Sequence, residues 1–142
     1  MRKHTSYAGF WKRVAAAIID GIITMIGGFA IGFVLGVVMS AGGTDDSAVL
    51  EVMGNMLGII LGWVYFAVME SSPTQGTLGK MALGIKVTDL EGNKIGFGKA
   101  SGRHFGKMIS TVILLIGLIM AAFTQKKQGL HDMMAGCLVV NK

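Results

Sequence analysis

Cysteine and proline are almost absent: Cys137 and Pro73 are the sole examples in 142 residues. One thiol cannot close an intrachain disulfide, which excludes a disulfide-stapled scaffold and a multi-cysteine metal or cluster site. A chain with a single proline is no proline-rich linker. Charge is scarce too, at 15% of residues against 52% hydrophobic, and the mean hydropathy is +0.62. A disordered tail and an ordinary soluble domain are both excluded by that balance. Glycine and methionine are abundant, with 22 and 11 copies. The composition is that of a membrane protein, with room for two or three spans and no separate soluble domain.

The formal net charge is +5. The basic residues fall into clusters beside apolar runs, so they read as topology signals and not as a nucleic-acid surface, and no nucleic-acid partner is expected. Arg2, Lys3, Lys12 and Arg13 precede the first run; Lys80, Lys86, Lys94, Lys99, Arg103 and Lys107 lie between the second and third; Lys126, Lys127 and Lys142 follow. The segment from Gly42 to Ser47 has no Lys or Arg and carries Asp45 and Asp46. The positive-inside rule therefore predicts a cytoplasmic N-terminus, a cytoplasmic loop over 70–107 and an external Asp45 loop.

Between Val14 and Met39 the one charged residue is Asp20, and about 20 apolar residues suffice to cross a bilayer. Helix 1 is predicted over 14–39, with Tyr7, Phe10 and Trp11 as interfacial aromatics. The run is too long for a cleaved signal peptide, and a carboxylate within it argues further against one. Helix 2 is predicted over 52–69, stopped by Glu70, Ser71, Ser72 and Pro73.

A third segment, 108–124, is short for a span and has Arg103 and Lys107 before it and Lys126 and Lys127 after it. Both flanks favour the cytoplasm, so a re-entrant or bent segment hinged near Gly117 is preferred to a third crossing. Ile85 to Thr88 alternates apolar with polar, Glu91-Gly92-Asn93 is a turn cluster and Lys94-Ile95 resumes extension, which predicts a β-hairpin at about 84–96. A lone hairpin is marginal in water, and Cys137 to Val140, in the tail 125–142, could add a third strand.

Small residues every four positions let helices approach closely in lipid, and Gly28, Gly32, Gly36 and Gly54, Gly58, Gly62 form two such stripes. The expectation is that helices 1 and 2 pack through them, with homodimerisation through one stripe as the competitor. Asp20 lies about 9 Å along the helix from Val14. A carboxylate in a membrane helix costs roughly 2.5–3.5 kcal/mol at the centre, so it needs compensation. Arg13 is on the same face but two turns away, leaving Arg103, His104 and Lys107 as candidate cationic partners. Asp20 either fixes packing through a buried ion pair or titrates on an ion or proton path. Asn55 is expected to make an interhelical hydrogen bond.

Other chemistry is not signalled. Gly79-Lys80 lacks the upstream glycine of a phosphate-binding loop, and Gly96-Phe97-Gly98 lacks the third glycine of a dinucleotide fingerprint. His4, His104 and His131 are not at zinc-ligand spacing, and no serine or cysteine has a neighbouring base. No enzyme activity, metal or cofactor is expected.

Four pieces in order complete the picture: Gly9-Phe10-Trp11-Lys12-Arg13-Val14 through Ile19-Asp20; Thr77-Leu78-Gly79-Lys80; Gly84-Ile85-Lys86-Val87; and Gly129-Leu130-His131-Asp132 with Ala135-Gly136. Together they resemble the RDD family of small bacterial membrane proteins, across nearly the whole chain. The resemblance places the family's arginine on Arg13, its first aspartate on Asp20 and its second on Asp132, with Asp89 as the alternative. It implies a multi-pass protein of the bacterial plasma (inner) membrane that transports a small solute, sodium/proton antiport among the candidates. Asp20 would then be the titratable group. Two spans cannot enclose a water path, so transport implies a homo-oligomer. The rival reading is a membrane adaptor whose basic segments bind anionic lipid and whose Arg and Asp residues stabilise packing.

Overall fold

In a computed structural model, the structure describes residues 6–43, 46–112 and 116–142. Asp45, Arg2, Lys3 and His4, each weighed above, lie outside the described residues. Helix α1 spans Phe10–Ala41 and α2 spans Ser47–Ser71, both longer than the sequence predicts. Each is long and apolar enough to cross a membrane. Asp46 caps α2, its carboxylate accepting from the Ala48 N–H at 3.0 Å. The α2 run ends in hydroxyls: Ser71 and Ser72 donate to the Ala67 and Met69 carbonyls at 2.7 Å, which satisfies part of the helix terminus before Pro73.

The remaining elements gather at the N-terminal end of α1 and the C-terminal end of α2. They are α3 (Leu78–Ala82), β1 (Ile85–Asp89), α4 (Phe97–Val112), α5 (Ile116–Phe123), α6 (Leu130–Ala135) and β2 (Cys137–Asn141). Most of the segment expected to be a loop before residue 108 is therefore structured, and α4 begins at Phe97. Ala100, Arg103 and Gly106 are buried at steps of three, which turns one face of α4 inward and places Arg103 on it. Gly117, where a hinge is expected, falls within α5; residues 113–115 lie outside the described residues.

The predicted hairpin does not form. Lys94-Ile95 is not a strand, and β1 pairs antiparallel with β2, Ile85 opposite Asn141 and Asp89 opposite Cys137. The physical cause is Asp89, whose carboxylate accepts from the backbone N–H groups of Glu91 and Asn93 at 2.9 and 2.8 Å while its own N–H donates to the Asn93 carbonyl. That local turn curls the chain away from extension. Ile95 is then buried in the core instead of laddered. The tail strand takes the place of the second hairpin strand. On the other side of β2, Tyr7 bridges Val140 and the Ala8 N–H donates to the Val139 carbonyl at 2.9 Å. The start of α1, β1 and the C-terminal strand are thereby fixed at one end of the molecule.

Gly136 makes the turn from α6 into β2 possible. Its φ of 61° and ψ of 46° lie in the left-handed region, which closes the helix with its N–H on the Asp132 and Met133 carbonyls. The small core under this cap contains Ala8, Ala16, Ala67, Ile85, Val87, Ile95, Ala100, Cys137 and Val139.

Candidate functional site

Glu70, Arg103 and Asp132 are the buried centre of the cap, at 1%, 5% and 0% exposure. Glu70 closes α2, Arg103 faces in from α4, and Asp132 sits in the first turn of α6, where its Oδ2 also accepts from the Gly129 N–H at 3.2 Å. The Arg103 guanidinium bridges the two carboxylates, Nη1 to Glu70 Oε1 at 2.6 Å and Nε to Asp132 Oδ1 at 2.7 Å. Lys80 from α3 pairs with Glu70, and Arg13 from α1 pairs with Asp132. The result is a continuous chain, Lys80–Glu70–Arg103–Asp132–Arg13, joining α3, α2, α4, α6 and α1. Burial raises Asp132's pKa, but Arg103 and Arg13 outweigh it and hold the carboxyl well below its usual range. Burial likewise opposes the charge on Arg103, and the carboxylates of Glu70 and Asp132 raise its pKa above the usual guanidinium range.

Asp20 stands apart from this chain. The sequence leads one to expect a cationic partner from Arg103, His104 or Lys107; among the described residues no salt bridge reaches Asp20. Its oxygens accept from neutral donors: Thr77 Oγ1–H on Oδ2 at 2.5 Å, and the Tyr65 hydroxyl and Gly79 N–H on Oδ1 at 3.0 and 2.9 Å. Tyr65 in turn accepts from the Leu78 N–H at 3.2 Å. Arg103 is engaged elsewhere. The His104 ring stacks at 5.4 Å from Phe66, and Lys107 Nζ lies 4.7 Å from the centre of the same Phe66 ring. Burial, aided by Lys80 and Arg103, lowers Lys107's pKa to about 8.

This contact explains one glycine. A Cβ on Gly79 would fall inside van der Waals contact of the Ala16 carbonyl oxygen and 2.9 Å from the Asp20 carboxylate. Only glycine lets the start of α3 sit against α1 closely enough for its N–H to reach Asp20.

Other expected residues are not brought together. A Cβ on Gly28, Gly32, Gly36, Gly54, Gly58 or Gly62 would meet nothing within 4 Å, so the two glycine stripes do not pack on each other within the chain. α1 and α2 are held together at the cap end instead. Asn55 is exposed and makes no hydrogen bond among the described residues. Asp89 ends β1, half-buried, with its carboxylate on the N–H groups of Glu91 and Asn93. Sequence reasoning read Glu70 merely as a helix stop and did not single out Lys80, Tyr65 or Thr77. The available signal was Glu70's position, an acid at the end of a span facing a lysine-rich and arginine-rich segment.

Between α1 and the cap lies a cavity of about 420 Å³. Arg13, Asp20, Lys80, Arg103, Lys107 and His131 contribute its charged and polar wall, and Phe10, Val14, Ala17, Ile18 and Ile119 its apolar wall. His131 Nε2 is 3.3 Å from Asp132 Oδ1, and burial lowers the imidazole's pKa to about 3, so it is neutral. Arg13 Nε and Nη2 and His131 Nδ1 are buried with no hydrogen-bond partner among the described residues. Among the described residues no group of three or more His, Cys, Asp and Glu side chains is arranged to hold a metal ion.

Comparison with known proteins matches residues 7–136 to the RDD family. The chain is 36% identical to the uncharacterized protein YxaI of Bacillus subtilis (strain 168), over 95% of this chain and 97% of that one. It is 30% identical to the uncharacterized membrane protein YteJ of the same organism, over 96% of this chain and 82% of that one. No solved structure matches.

Proposed function

The chain belongs to the RDD family, and on that premise we propose that it is a membrane transport unit in which Asp20 carries the exchanged proton or cation, sodium/proton antiport being the form the family resemblance suggests. The observation that carries this reading is the contrast among buried carboxylates. Glu70 and Asp132 are held by permanent cations, whereas Asp20 is held by Tyr65, Thr77 and Gly79 and lies on a cavity wall. A carboxylate without a fixed counter-charge can exchange its partner; one locked to a guanidinium cannot. The hydroxyl oxygens of Thr77 and Tyr65 are also hard ligands of the kind a small cation accepts.

In this reading the N-terminus and the cap face the cytoplasm, as the charge distribution favours. An α4–α5 segment that enters and leaves on that side is supported by the pairing of β2 with β1. Two spans from each of several copies enclose the path, with the open glycine stripes as contact surfaces.

Purified protein in proteoliposomes tests the proposal through sodium-dependent proton flux. The parent should exchange and Asp20→Asn should lose most of the flux while keeping its fold. Normal flux in the variant removes Asp20 from the mechanism. A parent with no cation-coupled flux removes transport and leaves the adaptor reading, which the chain from Lys80 to Arg13 favours because its carboxylates are all engaged in holding elements together.

A further inference from the structure

The cavity is lined by two chemically different kinds of side chain, and one ligand class matches both. Arg13 gives Nη1 to Asp132, and its remaining edge, Nε with Nη2, is buried without an acceptor among the described residues. That edge is the fork by which arginine binds an oxyanion with two parallel hydrogen bonds, and a buried donor left unpaired costs about 1–3 kcal/mol. Arg13 is itself one of the residues lining the cavity. Lys80, Arg103 and Lys107 line the same cavity, where Asp20 is the one acid in the lining, so the balance of lining charge favours a negative ligand.

The rest of the lining is hydrocarbon. Phe10, Val14, Ala17, Ile18 and Ile119 form it, and Ile18 is 58% exposed. One and two turns further along α1, Ile22, Met25 and Ile26 continue the same exposed apolar face. The cavity therefore opens along the surface that a spanning helix presents to acyl chains. A free inorganic anion leaves this wall unused.

We propose that the cavity is a binding site for an anionic phospholipid, its phosphate beside Arg13 and its chain along the Ile18 face of α1. A choline or ethanolamine headgroup brings a cation against Arg13, Lys80 and Arg103 and is disfavoured. A hydroxylated headgroup is favoured further: with the Nε2 proton of neutral His131 directed to Asp132, the unpartnered Nδ1 accepts a hydrogen bond from a hydroxyl. This site goes beyond the transport reading and stands without it.

The test uses the full chain in detergent, titrated with phosphatidylglycerol and phosphatidylcholine of identical acyl chains, with bound lipid counted by native mass spectrometry. The expected result is a preference for phosphatidylglycerol of about ten-fold or more. Equal retention of the two lipids overturns the proposal, and this comparison needs no variant. Ala17→Phe and Ile119→Trp fill the cavity from two apolar lining positions and remove no charged side chain; each should abolish the preference, and an unchanged preference in a folded variant overturns the site. Inorganic phosphate should fail to displace the lipid. Displacement by phosphate as effective as by a short-chain phosphatidylglycerol makes this a soluble-anion site and overturns the lipid assignment.

Discussion

The two ends of the α1–α2 pair obey opposite rules. Toward the cap, Ala16 and Asp20 of α1 and Ala67 and Glu70 of α2 are buried, and charged side chains form the interior. Beyond Asp20 the order inverts: Phe29 and Phe33 are 77% and 65% exposed, and no described residue from Gly21 to Gly43 or from Asp46 to Phe66 is buried. The difference follows from the solvent each end meets. Lipid tails are as apolar as leucine, so apolar faces gain little by packing on each other there. Buried polar and ionic groups gain specificity where water and lipid meet, since each must find its partner or bear the cost of desolvation. The helices are thus organised from one end, by polar contacts, and their outer halves leave apolar side chains exposed.

The comparison breaks most visibly at Arg103. Arg103→Met leaves Glu70 and Asp132 facing each other without their shared cation, and truncating one partner of a buried pair costs about 3–5 kcal/mol. Thermal unfolding in detergent should show a large drop in midpoint or loss of folded protein; a midpoint within a degree of the parent would mean that the chain of pairs is not what holds the cap.

Next is Gly79→Ala. The added methyl meets the Ala16 carbonyl oxygen and the Asp20 carboxylate, so overpacking of about 1–3 kcal/mol is expected together with loss of the Gly79 to Asp20 hydrogen bond. The same unfolding assay reads it, and a neutral result would show that α3 can stand off from α1.

Acid should act on the cap in two steps. His131 has a folded pKa of about 3 against the ordinary 6.5, so between these values the unfolded chain binds the extra proton and stability falls as pH drops. Asp132, held below its ordinary 3.8, adds a further loss as pH falls below that value; both contributions are complete at pH 7. Midpoints measured from pH 7.5 to 4.5 should decline in the parent and flatten in His131→Gln.

Smaller still is the effect at the outer half. Gly32→Ala and Gly58→Ala place a methyl in open space on exposed helix, and alanine is favoured over glycine in a helix interior by about 0.5–1 kcal/mol. Unfolding midpoints equal to or slightly above the parent's are expected. A clear destabilisation of either variant would reveal contacts with a second copy at that stripe and erase the contrast between the ends.

The membrane helices were legible because length and apolarity are local properties, and the family because its motifs are contiguous. The partner of each charge was not. Asp20 reads as needing a cation, yet hydroxyls and a backbone N–H from 45 to 59 residues away satisfy it. Lys94-Ile95 reads as a strand, yet Asp89's hydrogen bonds turn the chain and the strand arrives from the C-terminus. The glycine stripes read as an internal interface, and within the chain they face open space.

Composition and periodicity by themselves determined that two long helices form, where they start and stop within a few residues, and that an acid within the first of them demands compensation. The tertiary structure decided which groups compensate, which charges pair across the cap, and that a cavity remains beside them. The reason is range: hydrophobic length is summed over neighbours along the chain, whereas a hydrogen bond or ion pair is satisfied within about 3 Å by whichever donor the fold brings there.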